Sequence, residues 1–104
     1  SADHETQCVL HIALCYGGLK NLVRAFETFR KVEELCARKS VSDNIRLDIH
    51  KTLADTFTEE EYGDNSKVLY HLKEAEGIFK RIERSETQED ALIEVQAKIL
   101  SLEF

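Results

Sequence analysis

The chain has 104 residues, of which 42% are hydrophobic and 33% are charged, with a formal net charge of −6 and no proline. The hydrophobic fraction excludes a disordered acidic tail, and the length allows one hydrophobic core but hardly two. The sequence contains no apolar run near the roughly 20 residues of a membrane-spanning helix and no basic-then-apolar segment of the kind found in signal peptides. The absence of proline is unusual but costs little in a nearly all-helical chain, because proline is tolerated mainly in the first turn of a helix.

Five segments have the apolar spacing of an amphipathic helix. We predict helices over residues 3–16, 19–38, 44–57 and 66–84, and a fifth that runs from residue 87 to the end. Gly17-Gly18 should end the first helix, since glycine readily leaves the right-handed region. Thr87 and Asp90 have capping-box spacing at the start of the fifth, with aspartate in place of the usual Glu or Gln. The predicted fold is all-α, with antiparallel helix-turn-helix pairs.

Each predicted helix has one apolar stripe that we assign to the core. The stripes are Val9, Ile12, Ala13 and Tyr16; Leu22, Phe26, Phe29, Val32 and Cys36; Ile45, Ile49, Leu53, Ala54 and Phe57; Val68, Leu72, Ala75, Phe79 and Ile82; and Leu92, Val95, Ile99 and Leu102. Tyr62, Tyr70 and Phe104 lie off these stripes. Phe104 ends the sequence within a predicted helix. If the protein continues beyond it, this terminus is a cut through a solenoid, and the apolar face left exposed would promote self-association.

The helices also show an internal repeat. A small residue recurs at Ala13, Ala54 and Ala97, at intervals of 41 and 43 residues. An aromatic residue follows three positions later in the first two cases, at Tyr16 and Phe57. The small residue lets the first helix of each pair approach its partner closely, and the aromatic side chain fills the space near the loop. The spacing predicts repeated pairs of helices.

The residues of this repeat are Ile12, Ala13, Tyr16, Ala25 and Phe29 in the first pair and Leu53, Ala54 and Phe57 in the second. The pattern resembles the tetratricopeptide repeat over about residues 5–102, and most closely members with units of roughly 40 residues. Val9 and His50 occupy the family's tryptophan-like site, and the family's helix-terminating proline is missing. The resemblance implies a single helical-repeat domain over 1–104, a short α-solenoid with units at 5–39 and 44–84 and a half unit at 87–104. A five-helix bundle is the alternative, and two and a half units suggest a piece of a longer protein.

In the tetratricopeptide family, the first helices of successive units line a concave groove that receives peptides. The corresponding positions here are Gln7, Leu10 and Leu14; Asp48, Lys51 and Asp55; and Glu94 and Lys98. The second and third sets are charged, which suits an exposed surface and not a core. The first set is either an apolar subsite or the beginning of the core. The resemblance implies a non-enzymatic adaptor or scaffold that binds a peptide, and the alternative is an assembly element that stacks through apolar helix faces.

The charge is unevenly distributed along the chain. Residues 1–44 contain six basic and six acidic side chains, whereas residues 45–104 contain eight and fourteen. Nucleic-acid binding requires clustered lysine and arginine, so the distribution argues against it. The acidic stretches at 59–61 and 86–90 are predicted loops, either simply solvated or forming a rim that attracts a basic partner.

The remaining chemistry-bearing residues give no strong signal for catalysis. His4, Cys8, His11 and Cys15 form one stripe of the first helix. A helix can direct only two residues one turn apart at one ion, so a metal site would need a further ligand from Cys36 or His50. We expect no metal, cofactor or catalytic residue. Three cysteines without a CxxC pair predict reduced thiols in the cytoplasm or nucleus.

Overall fold

The computed structural model describes residues 1–38 and 40–104, and these residues form five α-helices and no strand. The helices are α1 (Ala2–Gly18), α2 (Leu22–Cys36), α3 (Asp43–Thr58), α4 (Asn65–Arg81) and α5 (Glu86–Glu103). The all-α prediction is confirmed, whereas the solenoid arrangement stays a prediction. Residue 39, the last of the first predicted repeat unit, lies outside the described residues. Nowhere in the described chain is a helix both long enough and apolar enough to cross a membrane.

The chain divides into two compact units, unit 1 (Ser1–Ile49) and unit 2 (His50–Phe104), with the boundary inside α3. Unit 1 contains seven basic and seven acidic side chains, and unit 2 contains seven basic and thirteen acidic side chains. The whole net charge of the protein therefore belongs to unit 2.

The end of α1 differs from its prediction. The helix continues through Gly17-Gly18, and the residue with a left-handed backbone is Lys20, with φ of 63°. The Lys20 N–H donates to the Gly17 carbonyl at 3.0 Å, and the Asn21 N–H donates to the Tyr16 carbonyl at 2.9 Å. These two bonds are those of a Schellman motif, which satisfies the last carbonyls of the helix. Asn21 then caps α2, so α2 begins at Leu22 and not at residue 19.

The predicted cap of α5 is wrong. Ser85 is the N-cap, and its Oγ accepts the N–H of Gln88 at 3.2 Å. The Gln88 side chain accepts the Ser85 N–H at 3.0 Å in return, which completes a capping box. Thr87 and Asp90 have the same spacing but lie in the first turn. Residues 86–90 are consequently helical and not a loop.

The core of unit 1 uses a different face of α1 from the predicted one. Its buried residues are Thr6, Leu10 and Ala13 of α1; Ala25, Phe29, Val32, Leu35 and Cys36 of α2; and Val41, Leu47 and Ile49. Ile12 is 50% exposed, Val9 and Tyr16 are only half-buried, and Phe26 of α2 is also exposed. Because α1 carries apolar side chains on most of its circumference, its periodicity does not single out one buried face.

The core of unit 2 matches its predicted stripes closely. It contains Leu53, Ala54 and Phe57 of α3; Val68, Leu72, Ala75, Ile78 and Phe79 of α4; and Leu92, Val95 and Ile99 of α5. Two buried histidines join it, with Nδ1 of His50 lying 2.9 Å from Nδ1 of His71. One imidazole must donate and the other accept, so this contact requires at least one neutral ring. The His71 ring also stacks on Phe57, with 5.9 Å between ring centroids.

Candidate functional site

Unit 2 contains an open cavity where α3 ends, α4 begins and α5 ends. Its volume is about 280 Å³. The lining residues are Ala54, Asp55 and Thr58 of α3; Asn65, Val68 and Leu72 of α4; and Lys98, Ser101 and Leu102 of α5. Three helix termini meet at this cavity. Because each helix stops there, no further turn of side chains fills the space between them.

The floor of this cavity is apolar and its rim is polar. Ala54, Val68 and Leu72 are buried and Leu102 is half-buried, so the floor consists of short aliphatic side chains. The remaining five lining residues are exposed to solvent. A concave apolar surface with a few polar groups at its edge is the usual form of a binding site.

Two residues of the rim form a loose ion pair. Nζ of Lys98 lies 4.0 Å from Oδ1 of Asp55, and the two side chains are 60% and 77% exposed. An exposed pair of this length contributes little to stability, because solvent screens both charges. Separating the two groups to contact a ligand therefore costs little.

The cavity brings together two of the residues predicted for partner binding, Asp55 and Lys98. Glu94 is exposed on α5, one turn before Lys98. Lys51 is half-buried on α3, with its ammonium group 6.0 Å from the centroid of the Phe79 ring. Lys51 and Glu94 do not line the cavity.

The other four predicted residues lie in unit 1. Gln7 and Leu14 of α1 and Asp48 of α3 are exposed. Leu10 is only 7% exposed. Its side chain therefore belongs to the core of unit 1 and does not form an apolar subsite for a peptide.

Most of the cavity could not be predicted from the sequence. Thr58, Asn65 and Ser101 are short polar residues near helix ends and carried no functional signal, while Leu102 was assigned to the core stripe of α5. The apolar spacing of a sequence describes one helix at a time, whereas the residues that line this cavity come from three helices. No spacing along the chain could have identified it.

The stripe of metal-ligand residue types on α1 remains open to solvent. Sγ of Cys8 lies 3.5 Å from Nε2 of His4. Over residues 1–38 and 40–104, no group of three or more His, Cys, Asp or Glu side chains is arranged to hold a metal ion. Cys8 and Cys15 are exposed cysteines, and Cys36 is a buried one.

Comparison with models of protein families, with curated proteins and with solved structures finds no match to this chain.

Proposed function

We propose that the protein is a non-enzymatic interaction module, an adaptor or scaffold, that binds a peptide segment of a partner protein in the cavity of unit 2. The observation that carries the proposal is the combination of an apolar floor with the exposed Asp55 and Lys98 pair on the rim. An apolar side chain of the peptide fills the cavity, and the two adjacent charged groups orient the segment at the rim.

The open form of the cavity favours a peptide side chain over a cofactor. Small-molecule sites usually enclose roughly 300 to 1,000 Å³ and bury most of the ligand. The cavity here has about 280 Å³ and is open. It accommodates one large or two small apolar side chains of a segment whose backbone remains outside.

The charge of unit 2 favours a basic segment. With seven basic and thirteen acidic side chains, the unit attracts positively charged partners and accelerates their association. Asp55 is the acceptor placed to pair with a lysine or arginine beside the apolar anchor. Lys98 is placed to bind a peptide carbonyl or carboxylate.

The proposal agrees with the resemblance to tetratricopeptide repeats, in which first helices line the peptide groove, because Asp55 and Lys98 come from α3 and α5. Three cysteines without a CxxC pair favour reduced thiols, and on that basis we propose the cytoplasm or nucleus as the compartment.

Selection of a displayed peptide library on the immobilised protein tests the proposal. We expect selected peptides to share an apolar residue next to a basic one. Their affinity for Asp55→Lys should be about tenfold weaker, a loss of about 1.4 kcal/mol. Glu74→Lys is the matched control, since Glu74 is exposed on α4 and does not line the cavity. Equal affinity for the two variants, or no selected peptide, would refute the proposal.

A further inference from the structure

A second, exposed apolar face lies on α5. Ile93, Ala97, Leu100 and Phe104 are spaced i, i+4, i+7 and i+11, which places them on one side of the helix over about 16 Å. Ile93 is 62% exposed and Leu100 is 56% exposed. We call these four residues the α5 stripe. Because the buried residues of α5 occupy another side, this helix is apolar on two faces, and such a helix is normally covered on both.

Acidic residues border the α5 stripe. By helical geometry, Asp90 and Glu94 flank it on one side, and Glu89 and Glu103 flank it on the other. Lys98 is the one basic residue of α5, and it lies farther around the helix, next to Asp55. Glu89 already pairs with Arg84 and Glu103 with Lys73, each at 2.8 Å. The negative charge beside the stripe therefore comes from Asp90 and Glu94, and a surface that covers the stripe must be apolar in the middle and basic along that edge.

Unit 1 has a surface of this description between α1 and α2. It is a groove of about 260 Å³. Val9, Ile12 and Tyr16 of α1 and Arg24, Glu27, Thr28 and Lys31 of α2 line it. We call it the α1/α2 groove. The α1 side is apolar and leaves Ile12 half exposed, and the α2 side carries two basic groups and one acidic group.

We propose that the α5 stripe of one copy of the protein docks into the α1/α2 groove of a second copy. Charge complementarity selects this occupant: Asp90 and Glu94 beside the stripe meet Arg24 and Lys31, and unit 1 lacks the net negative charge that would make two copies of unit 2 repel each other. Both surfaces extend over two or three helical turns. The proposal goes beyond peptide binding and does not depend on the cavity of unit 2.

The contact is heterologous, because the two docking surfaces differ. Each copy in a pair keeps one stripe or one groove free, so association continues beyond two copies unless a ring closes. This property distinguishes the contact from a symmetric dimer formed by two α5 stripes.

Sedimentation velocity over a range of protein concentrations tests the proposal. The wild-type protein should exceed the monomer mass of 12.0 kDa increasingly as its concentration rises. Ile12→Asp places a charge in the α1/α2 groove, and Leu100→Asp places one in the α5 stripe. Each variant alone should therefore sediment as a monomer. Their equimolar mixture should form a dimer and nothing larger, because one intact groove and one intact stripe remain. Leu14→Asp on another side of α1 is the control and should associate like the wild-type protein.

Charge exchange provides a second pair of variants that leaves the apolar residues in place. Lys31→Glu should weaken self-association about tenfold, and adding Glu94→Lys should restore it at least in part. A wild-type protein that is monomeric at every concentration would overturn the proposal. So would an Ile12→Asp variant that still associates, or a mixture of Ile12→Asp and Leu100→Asp that stays monomeric although circular dichroism shows both variants folded.

Discussion

Arg46 illustrates how much one side chain contributes to unit 1. Its guanidinium group donates to three backbone carbonyls at and after the end of α2. Nε donates to Cys36 at 2.8 Å, and Nη2 donates to Arg38 at 2.7 Å and to Val41 at 3.1 Å. Nη1 completes the arrangement with Asp43 at 3.1 Å. The last carbonyls of a helix have no hydrogen-bond donor within that helix. Arg46 supplies charged donors to such carbonyls at the end of α2 and in the connection to α3.

We expect Arg46→Met to lower the free energy of unfolding by about 2 to 3 kcal/mol, because three carbonyls lose a charged donor. Arg46→Lys should recover only part of the lost free energy of unfolding, since an ammonium group cannot place its donors in the planar fork of a guanidinium group. Urea denaturation measures both variants. Arg30→Met, at an exposed position of α2, is the control. A loss from Arg46→Met no larger than that of the control would contradict the role given to Arg46.

Asp3 gives unit 1 a predictable pH dependence. The backbone N–H of Ser42 donates to Oδ1 of Asp3 at 2.7 Å. This hydrogen bond is the main reason that the pKa of Asp3 lies below its usual 3.8, and a hydrogen bond with the Ser42 side chain is the second. A lowered pKa means that the ionised side chain stabilises the folded state. The contribution is complete above the unfolded pKa and disappears as the pH falls through the folded one.

The difference in Tm between the wild-type protein and Asp3→Ala should therefore be constant above about pH 5 and shrink as the pH falls below about 4. Thermal denaturation followed by circular dichroism at several pH values measures it. A difference that grows toward low pH would show that the carboxylate is not stabilising.

At the scale of the helices, the sequence predicts where structure forms better than which side faces inward. The buried faces of α4 and α5 lie where the apolar spacing predicts them, although Ile82 and Leu102 at the ends of the predicted core stripes are only half-buried. The buried face of α1 could not be predicted, since apolar residues surround that helix. The exit from α1 was also missed, because Lys20 adopts the left-handed conformation that glycine normally takes.

The two candidate caps of α5 can be distinguished experimentally. Ser85→Ala should cost about 1 kcal/mol, because the Gln88 N–H loses its acceptor and the capping box is broken. Thr87→Ala is the matched control and should change stability by less than about 0.5 kcal/mol, since Thr87 is exposed in the first turn. Chemical denaturation measures both. Equal losses would contradict the assignment of Ser85 as the cap.

At the scale of the whole molecule, the candidate site was only partly predictable. Asp55 and Lys98 followed from the resemblance to a repeat family, and the structure brings them to 4.0 Å. The cavity beside them depends on how three helix ends pack, and local spacing carries no information on that. Leu10 shows the converse: it matched a groove position of the family and instead lies in the core of unit 1.

If a peptide side chain enters the cavity of unit 2, a bulky side chain built into the cavity must exclude it. Ser101 is exposed and lines the cavity, so Ser101→Phe should occupy the space without disturbing the core. Thr87→Phe adds the same side chain at an exposed position outside the cavity. In a fluorescence-anisotropy titration with a selected peptide, we expect Ser101→Phe to raise the Kd at least about tenfold and Thr87→Phe to leave it unchanged. An unchanged Kd for Ser101→Phe would contradict binding of the peptide in the cavity.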